Sequence, residues 1–180
     1  PSHTHTPADA AALARACVRS VLEYFNGKLV TACDRTGDMD AIVPTEAAHA
    51  AQFPGSAANF TVAPVAPADG SARRVVLTLG DGGKPKPLKC EWSTVKDGRL
   101  VIGSTGKERT DDDGNVVHEG EMWVKSIDPV TLAVEHHDWR PMYDSLRAAA
   151  QCSRGAGYMI HESGRWSDAH QMWFFLPRKS

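Results

Sequence analysis

Two pentapeptides constrain this chain more than anything else in it: NGKLV, Asn26 to Val30, and DGRLV, Asp97 to Val101. Each places a dipeptide suited to a tight turn, with its positive φ angles, between apolar runs, so each predicts strand, turn, strand. Ser20 precedes the turn glycine Gly27 by seven residues, and Glu91 precedes Gly98 by seven. Glu162 stands similarly ahead of a third turn expected over Asp168 to Gln171, and Ser20, Glu91 and Glu162 are separated by 71 residues at each step. A long segment inside the first interval inflates that separation, so the equality is partly coincidence. Repeated β units of this size predict an all-β fold of propeller blades. The innermost strands of successive blades run along one channel, which would make Ser20, Glu91 and Glu162 converge. Two carboxylates and a hydroxyl, with no His or Cys among them, are hard donors that suit Ca²⁺ or Mg²⁺ far better than zinc.

The rest of the chain divides around these hairpins. Residues 1–17 are polar and then alanine-rich, and Ala8 to Arg19 has the alanine content of a short helix. Residues 38–69, rich in Ala and Pro and without sustained periodicity, read as a long surface excursion inserted into a β domain spanning 18–180. RRVVLTLGDGG, Arg73 to Gly83, predicts a strand ending in a glycine turn. Further hairpins are expected with turns near Asp113-Gly114 and Asp128-Pro129, and Arg140 to Gly157 has helical character ending in glycines.

At 180 residues, 42% hydrophobic and 23% charged, with a formal charge of −2, the composition is that of one soluble globular domain. That balance gives no electrostatic reason to expect nucleic acid or an anionic membrane as a partner. No window reaches the ~18 apolar residues of a membrane span, and no signal peptide is visible. Cys17, Cys33, Cys90 and Cys152 form no CxxC pair, which predicts isolated thiols and leaves room for one disulfide. Asn59-Phe60-Thr61 is a glycosylation sequon. GSTGKE, Gly103 to Glu108, is not a phosphate loop, because Val101 and Glu108 stand where glycine and Ser or Thr are required. DDDGN lacks the first and last carboxylates of an EF-hand. HESGR and HEGEM lack the second histidine of a zinc protease helix. His136 and His137, adjacent on a strand, point to opposite faces.

Several segments together carry a resemblance. FNGKL followed by DRTG (Phe25 to Gly37), EWSTVKDGRLVIG (Glu91 to Gly103), GKE (Gly106 to Glu108), LRAAA (Leu146 to Ala150) and GYMIHESGRWSDAHQMWFFLPR (Gly157 to Arg178) are similar to the soluble calcium-activated nucleotidase, or apyrase, family. The resemblance implies a five-bladed β-propeller, of which this chain would hold about three blades. It also implies a central Ca²⁺, hydrolysis of nucleoside di- and triphosphates of the UDP, GDP and ADP class, and a secreted or ER/Golgi location. Calcium ligands fall at Ser20, Glu91 and Glu162, and Asp34, Arg35, Lys107 and Arg178 fall at or near the nucleotide. Cations there would neutralise phosphate oxygens, and Asp34 would orient or deprotonate the attacking water.

The chain also departs from the resembled pattern. Cys33 replaces an acid before DRTG, and Arg109 replaces an aromatic after GKE. The family's remaining ligands would lie beyond these residues, so the chain is expected to be a fragment with little calcium-dependent activity alone, able to pair through open strand edges as a homodimer. The competing expectation is a propeller that binds without catalysing.

Overall fold

The computed structural model describes residues 19–44, 60–67 and 74–179. Asn26 and Gly27 take φ of 52° and 73°, and Asp97 and Gly98 take 51° and 73°, so both turns have the two positive angles that match the twist of a hairpin. The first joins β1 (Arg19–Phe25) to β2 (Lys28–Cys33). Two more strands, β3 (Met39–Pro44) and β4 (Phe60–Pro64), extend this into an antiparallel sheet of order β1-β2-β3-β4. The second turn joins β5 (Trp92–Lys96) to β6 (Arg99–Gly103). A short hairpin, β7 (Arg109–Thr110) and β8 (Val116–His118), then leaves the sheet. β9 (Trp123–Ile127) and β10 (Val134–Asp138) complete it in the order β10-β9-β6-β5. Helix α1 (Arg140–Ala149) follows, and the chain ends in the hairpin of β11 (Ile160–Ser167) and β12 (Met172–Lys179). The fold is therefore mostly antiparallel β-sheet. Among the described residues no helix is long and apolar enough to cross a membrane.

The first strand of each unit lies beside the next: β1 contacts β5, and β5 contacts β11. The β5–β6 sheet is covered on both faces. On one side Val21, Phe25 and Val30 of the first sheet meet Leu100, Ile102 and Ile127. On the other, Trp92, Val101 and Val124 pack against Tyr143 of the helix, with Trp139, Trp173 and Phe175 around them. Trp92 is the centre of that second cluster, its ring 5.4 Å from Phe175 and 5.9 Å from Trp173 at edge-on angles. It fits because Gly103 opposes it: a Cβ there would lie 2.1 Å from the indole.

Several expectations are corrected. Met39–Pro44 and Phe60–Pro64 belong to the sheet, so the excursion expected over 38–69 is narrower; residues 45–59 lie outside the described residues. β4 was hidden in this Ala- and Pro-rich stretch because it is largely exposed and its pattern is not one of alternating burial. The strand expected at Arg73 to Gly83 is reduced to single bridges, Asp38 with Val76 and Thr78 with Pro87, although Val75 and Leu77 are buried. Its backbone is bonded on one side to Gly37 and Met39 and on the other to Lys86 and Leu88, in short contacts that do not extend into a ladder among the described residues. The helix expected over 8–19 lies outside the described residues except for Arg19, which begins β1. Cys90 and Cys152 are buried free thiols as expected, whereas Cys33 is disulfide-bonded.

Candidate metal and phosphate site

Ser20, Glu91 and Glu162 line one cavity of about 200 Å³, together with Arg165. Their backbones explain how. In the β1–β2 ladder Arg19 pairs with Cys33 and Val21 with Ala32, so Ser20 is an extra residue bulged out of the ladder. In the last hairpin His161 pairs with Pro177 and Ser163 with Leu176, so Glu162 is likewise extra. Glu91 sits one residue ahead of the first β5 pair, its amide donating to the Gly103 carbonyl at 2.9 Å. Bulges release a side chain from the alternation of the pleat and re-aim it, and here both aim at the space beside Glu91.

Each carboxylate already has a cation. Lys89 Nζ donates to Glu91, whose side chain is 9% exposed, and Arg178 donates to the half-exposed Glu162. Arg178 is itself the extra residue of β12, since Ile160 pairs with Lys179 and His161 with Pro177. It stands with Glu162 and lines neither of the cavities described next. Arg165 crosses to β1, its guanidinium 2.9 Å from Glu23. The donor set of two carboxylates and a hydroxyl is of the kind that fits a hard, oxygen-seeking cation. Among the described residues no group of three or more His, Cys, Asp or Glu is placed to hold a metal ion by itself.

Two further cavities adjoin. One, about 350 Å³, is lined by Asp34, Arg35, Lys86, Lys89, Arg109 and Glu121. The other, about 370 Å³, is lined by Lys89, Lys107, Arg109, Glu121 and Tyr158 among others. Thus Asp34, Arg35 and Lys107 are brought to one region, and Lys89 joins it to the Glu91 cavity. Asp34 and Arg35 occupy the turn after β2, closed by the Gly37 amide donating to the Cys33 carbonyl at 2.9 Å. Gly37 has φ of 71°, and a Cβ on it would lie 2.2 Å from the Leu77 carbonyl oxygen. One carboxylate oxygen of Asp34 is buried with no hydrogen-bond partner among the described residues, an acceptor held ready for a donor. Lys107 donates to the Glu108 carbonyl at 2.9 Å and lies 6.0 Å from the centre of the Tyr158 ring.

Two other acids nearby have partners. Glu121 accepts from Thr105 Oγ1 at 2.9 Å. Glu108 is engaged by Arg147 at 2.6 Å, and that buried guanidinium also donates to the Gly157 and Cys152 carbonyls at 2.8 and 3.2 Å. The hydrogen bond to Glu91 raises the Lys89 pKa above the usual lysine range, keeping it charged. His118, whose Nε2 is 3.2 Å from Lys86 Nζ, is pushed below the usual histidine range by burial and then by the Lys86 charge, keeping it neutral. The arrangement is a cationic basin beside an oxygen-lined pocket. Sequence reading missed Lys86, Lys89 and Glu121; of these only Lys89 left a signal, lying two residues from Glu91 and so on the same side of an extended backbone.

A family model described as "Apyrase" matches residues 3–180. Among curated proteins the chain is 40% identical over 161 residues to "Soluble calcium-activated nucleotidase 1" of Rattus norvegicus, covering 89% of the chain and 34% of that protein. It is 38% identical over 178 residues to "Apyrase apy-1" of Caenorhabditis elegans, covering 99% and 43%. It is 35% identical over 159 residues to an "Apyrase" of Cimex lectularius, covering 88% and 36%. The chain thus spans between a third and a half of these relatives' length. A match across nearly every residue, with identities at this level in distant animals, places the chain in the apyrase family.

Proposed function

We propose that this chain is part of a Ca²⁺-dependent hydrolase of nucleoside di- and triphosphates, the UDP, GDP and ADP class, built on a β-propeller. The observation that carries the reading is the convergence of Ser20, Glu91 and Glu162 on one cavity, joined through Lys89 to a basin lined by Asp34, Arg35 and Lys107. The meander order of the two four-stranded sheets, with β1, β5 and β11 side by side, supports blades arranged about an axis. Apolar side chains left exposed on β1 and β12, Leu22, Tyr24, Phe174 and Leu176, are seats for more of the polypeptide or for a second copy as a homodimer. A disulfide at Cys33 fits the secretory route or the extracellular space.

Ser20, Glu91 and Glu162 would hold the metal. When bound, Ca²⁺ supplies charge neutralisation for the phosphate oxygens. Arg35 and Lys107 hold the phosphates, with Arg178 approaching from the Glu162 side and Lys89 from the wall between the cavities. The unpartnered oxygen of Asp34 orients a water toward the terminal phosphorus and accepts its proton. No side chain need act as a nucleophile. The test is phosphate release from UDP and GDP by the full-length protein with and without Ca²⁺. Glu162→Gln and Glu91→Gln should each abolish the Ca²⁺-stimulated part. The pairing of both glutamates with cations supports a second reading, a non-catalytic module in which they are structural ion pairs; nucleotide binding without phosphate release by the full-length wild type would favour it, whereas full stimulation retained in both variants would remove the two glutamates from the ligand set.

A further inference from the structure

The proposed mechanism leaves Arg109 without a task, yet it lines both cationic cavities. Lys89, Arg109 and Glu121 are the residues common to the two, so they form the wall along which one cavity passes into the other. Arg109 opens β7 as an exposed residue, paired across the ladder with His118. Of the acids in reach, Arg147 holds Glu108 and Thr105 donates to Glu121, while Asp34, across the same cavity, is the one given to the water in the proposed mechanism. Lys86, Lys107 and Lys89 surround it, with His118 kept neutral beside Lys86. Five cations, Arg35, Lys86, Lys89, Lys107 and Arg109, are spread over the walls of the two cavities, Lys89 already paired with Glu91, and they are too widely spread for two phosphates held in one cavity to meet them all. A guanidinium on the dividing wall can engage two oxygens of one phosphate with its planar fork, which a lysine cannot do.

We propose that Arg109 reads the length of the phosphate chain, meeting an additional phosphate that passes from one cavity into the other and thereby favouring triphosphates over diphosphates. This rests on the nucleotide reading of the cavities. In the resembled pattern an aromatic fills this position, so the property belongs to this chain's own arginine.

The experiment is calorimetric titration of the full-length protein with inorganic pyrophosphate and inorganic tripolyphosphate, with and without Ca²⁺. Wild type is compared with Arg109→Gln and Arg109→Lys, and hydrolysis of UDP and UTP is followed in parallel. Wild type should bind tripolyphosphate more tightly than pyrophosphate. Arg109→Gln should weaken tripolyphosphate binding about tenfold and pyrophosphate binding less than threefold, as expected for loss of one charge-assisted bidentate contact. Arg109→Lys should fall between, because it keeps the charge and loses the fork. An unchanged tripolyphosphate-to-pyrophosphate ratio in Arg109→Gln overturns the proposal, and so does wild type binding neither probe. Hydrolysis of neither nucleotide would sink the nucleotidase reading while leaving the polyphosphate ratio to decide the role of Arg109. The exposed position makes loss of folding a poor explanation, and a melting curve on each variant checks it.

Discussion

Replacing Arg147 with methionine should cost the full-length protein about 4 kcal/mol of unfolding free energy, out of the 5–15 kcal/mol typical of a whole domain. The guanidinium is 1% exposed and makes three directed contacts: Glu108 at 2.6 Å, the Gly157 carbonyl at 2.8 Å and the Cys152 carbonyl at 3.2 Å. Methionine fills most of the volume but strands a carboxylate that is only 8% exposed. Breaking one side of such a pair costs about 3–5 kcal/mol, because the surviving charge stays out of water without a partner. Removing both charges together, in Arg147→Met with Glu108→Leu, leaves only two carbonyls short of a donor, for a cost nearer 2 kcal/mol. The two single costs should therefore exceed the double cost by at least about 2 kcal/mol in a double-mutant cycle. Urea unfolding followed by tryptophan fluorescence measures all four proteins, since Trp92 and Trp139 lie in the adjoining cluster. A cost under about 1 kcal/mol for Arg147→Met, or strict additivity, would refute the reasoning. The first would mean that water reaches Glu108, and the second that the two side chains do not share a site.

Other outcomes are expected on the same grounds. Gly37→Ala should destabilise by 2 kcal/mol or more as an order of magnitude, since the new methyl meets the Leu77 carbonyl at 2.2 Å on a backbone with positive φ; an unchanged melting temperature would count against it. Burial holds the Lys125 ammonium down to about 8, beside His136 Nδ1 at 2.8 Å, so the unfolded chain keeps that proton over a range where the folded one has lost it. Stability attributable to Lys125 should thus rise with pH from about 8 toward 10.5, by up to about 3 kcal/mol. Urea midpoints of wild type and Lys125→Met across that range should converge or diverge accordingly, and parallel curves would discard the assignment. Glu162→Gln should also weaken direct Ca²⁺ binding measured by calorimetry, and binding as tight as in wild type would remove Glu162 from the ligand set.

Turn chemistry made the hairpins legible: Asn26-Gly27 and Asp97-Gly98 admit few alternatives, and the strands on either side follow. That Ser20, Glu91 and Glu162 line one cavity was partly legible for the same reason, because Ser20 and Glu91 stand at equal offsets from like turns and Glu162 stands at a similar distance ahead of a third. What sequence could not show was the wall of the basin. Lys89 looks like a solvated lysine until β5 is placed beside β11. Lys86 reaches the basin from a segment held by single bridges, which carries no periodicity to read. The join between Glu108 and Arg147 spans 39 residues, and nothing local pairs a helix arginine with that acid. β4 was missed because an exposed outer strand has no buried face to write into its sequence.

The bulges at Ser20 and Glu162 bear on how such a site can change. A residue inside a regular strand belongs to one of two faces, so altering it disturbs either the packing below or the surface above. A bulged residue belongs to neither ladder position, and its neighbours keep their partners whatever side chain it carries. The residues at Ser20 and Glu162 can therefore be exchanged, one by one, while Val21, His161 and Ser163 stay paired as they are. The lining of that cavity and the architecture of the sheets can then vary independently, and a scaffold of this kind can change what the cavity accepts without having to refold.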